Sequence, residues 1–164
     1  MSHESDLADK MWKALEHDRT VMLGLTNVEE GESQPMTALL DEGARSSIYF
    51  FTAKETDLVR AMGAQHRAVV HFAAKGHDLF AALHGELTLD DNRATIDRLW
   101  NRFVAAWFKG GKDDPSLQLL RFEPERAHIW LNEHSLFAGV KLLLGADPKQ
   151  SYRNKTADVN LNAR

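Results

Sequence analysis

The sequence contains no cysteine. That single count excludes a disulfide scaffold, thiol catalysis and any metal site built on sulfur. No apolar run approaches the ~18 residues that a membrane span requires. The opening, MSHESDLADK, is acidic and polar, where a secretory leader would be basic and then apolar. A cytoplasmic, reducing location without membrane attachment is expected. Basic residues are short as well: 20 Lys and Arg against 24 Asp and Glu give a formal charge of −4. No general basic surface is available to hold a phosphate backbone, so no nucleic-acid partner is expected. H-E-x-x-H helix pairs and G-x-S-x-G elbows are missing, which leaves zinc hydrolysis and serine chemistry without their frameworks. Eight histidines remain, but His66 and His71 are five apart on one strand and point to opposite faces. His77 and His84 share that defect, and no metal site is expected.

What is present fits one domain. The chain has 164 residues, 43% apolar and 27% charged, the make-up of an ordinary soluble domain able to bury most of its unfolded surface. It reads as a helix over 5–17, a barrel core over about 19–133 and a C-terminal extension over 134–164. In SDLADKMWKALEHD, Leu7, Met11, Ala14 and Leu15 share one helical face, with Ser5 as N-cap. The period then drops to two. TVMLGLTN, QPMTALLDE and SSIYFFT follow at hairpin spacing as an antiparallel meander, with Pro35 tolerable only at a strand start or edge. A short helix over AKETDLVRAMGAQ leads to HRAVVHFAA and DLFAALHGELTLD, joined at Lys75-Gly76-His77 with the glycine free to take positive φ. From Asp91 to Phe108 the spacing of Ile96, Leu99, Trp100, Phe103, Val104 and Trp107 predicts one helix. Strands LQLLRFEP and RAHIWLNE follow, then a short helix within SLFAGVKLLLGADP and a closing strand TADVNL. About six or seven short strands with peripheral helices, paired mostly with their sequence neighbours, describe a mainly β fold: a closed or nearly closed antiparallel barrel.

The stretch WFKGGKDDPSLQLL resembles two ligand loops and satisfies neither. A P-loop needs a hydroxyl after Gly111-Lys112, and Asp113 stands there. A calcium loop needs further ligands where Pro115 interrupts. Gly110 and Gly111 suit a left-handed helix end, and the aspartates suit bonds to nearby amides, so this is a turn. FFTAKETDLV carries more chemistry. A strand ends at Thr52, and Lys54 and Thr56 precede a helix start whose N–H groups and partial positive charge favour a phosphate. The same spacing also describes a Thr-capped helix with a solvated lysine, and spacing alone favours that description. In SQPMTALL, Pro35 at a strand start would leave the next backbone groups free to face a planar ligand; an edge strand without ligand is the plain alternative.

Taken together, the segments TVMLGLTNV, QPMTALL, SIYFFT, AVVHFAA and LFAALHGELTLDDN, followed by W-F-K-G-G-K-D-D-P and A-H-I-W, resemble the general stress protein branch of the pyridoxamine 5′-phosphate oxidase-like superfamily. The resemblance covers roughly residues 5 to 135. It implies a split antiparallel β-barrel that binds FMN, with FAD or another flavin as alternatives. It also implies a homodimer with two flavin sites at its interface. On that basis Phe51, Thr52, Lys54 and Thr56 surround the phosphate and ribityl chain. Gln34, Met36 and Thr37 face the isoalloxazine ring, and Trp107 supplies an aromatic contact. Asp57 and Leu58 stand where similar proteins carry a basic pair, and Gln34 stands for the usual strand arginine near the ring, so the phosphate grip departs from the pattern. The C-terminal substrate signature of the oxidase itself is absent, and vitamin B6 oxidation does not follow. The implied function is flavin binding of the general stress type with oxidoreductase activity; a flavin carrier or sensor, and a flavin-free dimeric interaction module, are the alternatives. No residue qualifies as a catalytic acid or base.

Overall fold

The computed structural model describes residues 2–29, 32–41, 44–132, 145 and 155–162. The helix expected within SLFAGVKLLLGADP lies outside the described residues. Helix α1 (His3–His17) begins two residues earlier than its pattern suggests, because the Ser2 hydroxyl accepts from the Ser5 N–H and caps it. Its buried stripe is Leu7, Ala8, Met11, Trp12 and Leu15. That stripe packs into the barrel's main cluster with Val21, Leu23, Ile48, Phe50, Val70, Leu83, Leu87 and Phe122. Full burial of a side chain such as Phe50 or Leu83 stabilises the fold by about 1.5–3 kcal/mol. No described helix is long and apolar enough to cross a membrane.

The strands are β1 (Thr20–Leu25), β2 (Gln34–Thr37), β3 (Leu39–Asp41), β4 (Ala44–Ala53), β5 (Gln65–Ala73), β6 (Leu79–Asp90), β7 (Leu117–Leu131) and β8 (Thr156–Asn160). They form one antiparallel sheet in the order β2-β1-β5-β6-β7-β4-β3, with β8 added on β7. The expected split barrel is present. The run QPMTALLDE, however, is two strands: β2 pairs with β1 and β3 pairs with β4, with Ala38 between them at 0% exposure. The two edges of the sheet are therefore consecutive pieces of one chain, and the sheet curls until they meet.

LQLLRFEP and RAHIWLNE are a single strand, β7. Its first half pairs with β4 and its second with β8, while β6 follows its whole length. A bulge opposite His84/Gly85, with Glu125 as the extra residue of β7, absorbs the bend. A Cβ at Gly85 would overlap the Glu123 carbonyl, so only glycine fits there. In the β5–β6 turn the positive φ belongs to His77 (55°), not to Gly76.

The helix expected over 91–108 is broken. Helix α3 (Arg93–Leu99) ends at an extended Trp100, and Asn101 caps α4 (Arg102–Trp107) by accepting from the Phe103 and Val104 N–H groups. A capping side chain within a 3.6-residue period restarts the helix at a new angle, which apolar spacing alone does not report. Ile96 and Leu99 then pack with Leu39, Phe108, Leu117 and Leu119 as a second, smaller cluster outside the barrel. Arg98 clamps α3 to β3 through Asp41 at 2.8 Å.

Candidate functional site

The short helix α2 (Asp57–Met62) follows β4 directly. Ala53 closes the β4–β7 ladder opposite Leu117, and the Lys54 N–H donates to the Ser116 carbonyl at 2.8 Å. Thr56 is the N-cap: its hydroxyl donates to the Ala53 carbonyl (2.9 Å) and accepts from the Val59 N–H (3.4 Å). A hydroxyl has one hydrogen, so Thr56 gives a donor to a phosphate only by releasing Ala53. Two groups at this corner are unserved among the described residues. The Thr52 hydroxyl, on a residue 8% exposed, has no hydrogen-bond partner, and the exposed Lys54 ammonium has no ion pair.

The other residues at the corner divide by strand alternation. Phe51 points away from the barrel interior and meets Trp100 edge-on, at 5.8 Å between ring centroids. Leu58 is 1% exposed and belongs to the main core, so its side chain packs inward. Asp57 is exposed in the first helical turn, where a carboxylate is favoured by the helix dipole.

Among the described residues strand β2 is an edge strand paired with β1 on one side only, which leaves backbone groups on its other side without a strand partner there. Gln34 and Met36 share a face, with the Gln34 amide 3.7 Å from the Met36 sulfur, and Met36 packs against the main core. Thr37 is exposed on the opposite face. Leu39 pairs with Tyr49 and β2 runs against β4, so Met36 and Thr37 approach the stretch ending in Phe51 and Thr52. The structure sets β2 against β4 at the barrel seam, with α2 following the end of β4 and touching β1. Trp107 stands apart from the packing of its own chain, 84% exposed on α4.

The GGKDDP segment is a closed turn. Asp114 accepts from the Gly110 N–H (3.0 Å), the Ser116 N–H (2.9 Å) and the Ser116 hydroxyl (2.7 Å). The Ser116 bonds, and then the Gly110 amide, hold its carboxyl below the usual carboxylate range. Lys112 reaches Asp97 at 2.9 Å, and Asp113 reaches Arg93 at 2.7 Å. The helix ends at Trp107, before the glycines, and only Gly111 takes positive φ (66°). Gly110 is needed for another reason: a Cβ there would come 2.9 Å from the Asp114 Cα.

Sequence reasoning missed a groove of about 660 Å³ on the outer face of β1, β5, β6 and β7, with Thr20, Met22, His71, Phe80, Ala82 and Trp130 among its walls. Thr20 pairs with Thr37, so the groove adjoins β2. Its volume lies in the range of small-molecule sites. His77 stacks on Phe80, and His128 leans on Trp130 at 4.2 Å while bonded to Asp158. On the same face, burial first and then Arg126, His71 and Arg67 lower the pKa of His84. The signal lay in the strand alternation: Met22, Phe80 and Trp130 occupy outward positions where polar residues are usual. Among the described residues no group of three or more His, Asp or Glu is arranged to hold a metal ion.

Comparison with known proteins agrees with this architecture. Residues 6–152 match the family model described as pyridoxamine 5′-phosphate oxidase like. General stress protein 26 of Bacillus subtilis (strain 168) is 27% identical over 128 residues, covering 75% of this chain and 87% of that protein. The crystal structure of a general stress FMN/FAD binding protein from Xanthomonas citri is 51% identical with a TM-score of 0.75, over 80% of this chain and 93% of that one. A structure from Jannaschia sp. CCS1, named for general stress protein 26, is 31% identical with a TM-score of 0.80, over 96% of this chain and 99% of the other. The chain belongs to the pyridoxamine 5′-phosphate oxidase-like family.

Proposed function

We propose that this protein binds a flavin, FMN foremost, at the barrel seam, and that it does so as a homodimer with two sites at the interface. The observation that carries the reading is the convergence of a free strand edge, the unserved Thr52 hydroxyl and the unpaired Lys54 ammonium at one place. The name of the 51% identical relative, an FMN/FAD binding protein, supports the same chemistry.

The donor set fits a flavin nucleotide. Backbone groups on the free edge of β2 would meet the polar rim of the ring, with the Thr37 side chain beside it. Thr52 and Lys54 would take the ribityl and phosphate end, where an ammonium–phosphate hydrogen bond is the strongest single contact available. Glu55 and Asp57 stand at the same corner and weaken the field for a dianion. A bound flavin supplies one- and two-electron transfer. The chain's own part is to hold and orient it: Gln34, Pro35, Met36 and Thr37 offer no group that titrates near neutral pH.

That last feature favours one second reading, a flavin carrier or sensor that turns nothing over. The test is the absorption spectrum of freshly purified protein, followed by titration with FMN and FAD under fluorescence. A yellow protein, or saturable quenching, is expected; a colourless protein that quenches neither flavin overturns the proposal. Steady NAD(P)H consumption by the loaded protein would mark an oxidoreductase, and its absence a carrier.

A further inference from the structure

Among the described residues, helix α3 is tied to the rest of the chain by three ion pairs, and they are not alike. Arg93 meets Asp113 at 2.7 Å and Asp97 meets Lys112 at 2.9 Å, both on the GGKDDP turn. The carboxylate side chains of those pairs, Asp113 and Asp97, are 84% and 49% exposed, so water screens them. Arg98 meets Asp41 of β3, and that carboxylate is only 17% exposed. The Arg98 Nη2 donates to Oδ2 at 2.8 Å and its Nε faces both oxygens at 3.2 and 3.3 Å, the forked grip of a guanidinium on a carboxylate. Strand β3 has little else to fix it. It is three residues long, pairs with β4, and shifts register between Leu40 and Asp41. Leu39 packs with Ile96 and Leu99 of α3, but apolar contact is non-directional and does not oppose sliding.

We propose that Arg98 is a positioning residue for the seam site: by gripping Asp41 it fixes the register of β3 and, through Ala38, the placement of Gln34–Thr37 against β4. The inference rests on the flavin reading for its ligand, and Arg98 itself lies outside the residues that would meet the flavin. Register in so short a strand is weakly specified by its ladder. A slide of one residue moves a strand by about 3.4 Å. Ala38 alone separates β3 from β2, so such a slide pulls directly on Thr37 and Met36. That distance exceeds the tolerance of a hydrogen bond, so a ligand spanning β2 and the end of β4 would lose one side of its contacts. The two ties to the GGKDDP turn hold the other side of α3 and have no path to β2.

The test compares Arg98→Met, Arg98→Met combined with Asp41→Asn, and Lys112→Ala, which cuts a different tie of α3. Losing Arg98 alone strands a largely buried carboxylate, so the melting temperature should fall. Replacing Asp41 as well removes that penalty and should restore it. Flavin affinity should not return with stability, which separates positioning from a merely structural role. In fluorescence titration with FMN both Arg98 variants should show a Kd raised about fivefold or more, because hydrogen bonds weaken steeply outside a narrow geometry. Lys112→Ala should keep the parent Kd. A second readout needs no flavin: in the unliganded double variant, amide exchange should quicken along β2 and β3 while β5 and β6 keep the parent rates. A double variant that binds FMN with the parent Kd overturns the inference and leaves flavin binding standing. Unchanged exchange along β2 overturns it too. If the parent protein itself quenches no FMN, the flavin reading fails, and faster exchange along β2 still marks Arg98 as the residue that holds the seam.

Discussion

Two polar turns sit side by side where β4 ends and β7 begins, joined by the bond from the Lys54 N–H to the Ser116 carbonyl. Each carries a lysine and carboxylates, and on paper either could hold a phosphate. In the turn after α4, Lys112 is paired with Asp97, Asp113 with Arg93, and Asp114 is surrounded by three donors. In the turn before α2, Thr56 serves the helix, but Lys54, Glu55 and Asp57 have no charged partner among the described residues. A group satisfied within the fold gives it up only at a cost, whereas an unsatisfied one loses little but water on meeting a ligand. The motif that looks more like a ligand loop is thus structural, and the plainer one is the candidate site.

The largest effect that could break this contrast is on binding. Lys54→Ala should weaken flavin affinity roughly tenfold or more through loss of a charge-assisted bond, while Lys112→Ala leaves it unchanged. Fluorescence titration of both variants decides it, and equal losses would mean that the two turns do not differ as argued. Next in size is a stability effect on the other side. Asp114→Ala removes three hydrogen bonds, and Gly110→Ala drives a Cβ against the Asp114 backbone. Both should lower the melting temperature by several degrees without changing flavin affinity below it.

A smaller change sharpens the comparison from the binding side. Asp57→Arg should tighten flavin binding several-fold by replacing repulsion with a forked donor, and the gain should fade with salt as screening sets in over ~8–10 Å. Unaltered affinity with a lower melting temperature would instead make Asp57 a helix-start residue only. The smallest effect is in acid. Because the folded carboxyl of Asp114 titrates below its ordinary 3.8, the unfolded chain binds the proton more readily. The turn's contribution is then fully present above that value and is lost as pH falls through the folded one. Urea midpoints measured from pH about 5 down to about 3 should fall less steeply in Asp114→Asn than in the parent protein.

Much of the fold was legible because its signals are local. The outward and inward positions of Val21, Leu23 and the β6 residues follow alternation directly, and Asp114 of GGKDDP bonds to backbone as turn aspartates do, whereas Asp113 pairs with Arg93 instead. What was not legible depends on partners distant in sequence. Nothing in QPMTALLDE says that β1 and β4 each take half of it, and nothing in RFEPERA says that the strand continues through Pro124 by bulging at Glu125, because the bulge exists only relative to β6. Asn101 was readable as a cap but was hidden under an unbroken apolar period. At the site, residue types pointed to the corner, while only coordinates separate the spent hydroxyl of Thr56 from the open one of Thr52, and only they reveal that Leu58 faces inward. The groove escaped because its walls come from four strands.

The run from Gln34 to Asp41 supplies both edges of the sheet, hinged at the buried Ala38. The two edges are thus tied to each other through a single buried residue. A flavin resting on β2, as proposed, would act as a clasp on parts of the barrel it never touches. Its occupancy should be written into the heat resistance of the entire domain, growing with the logarithm of ligand concentration once the site is saturated.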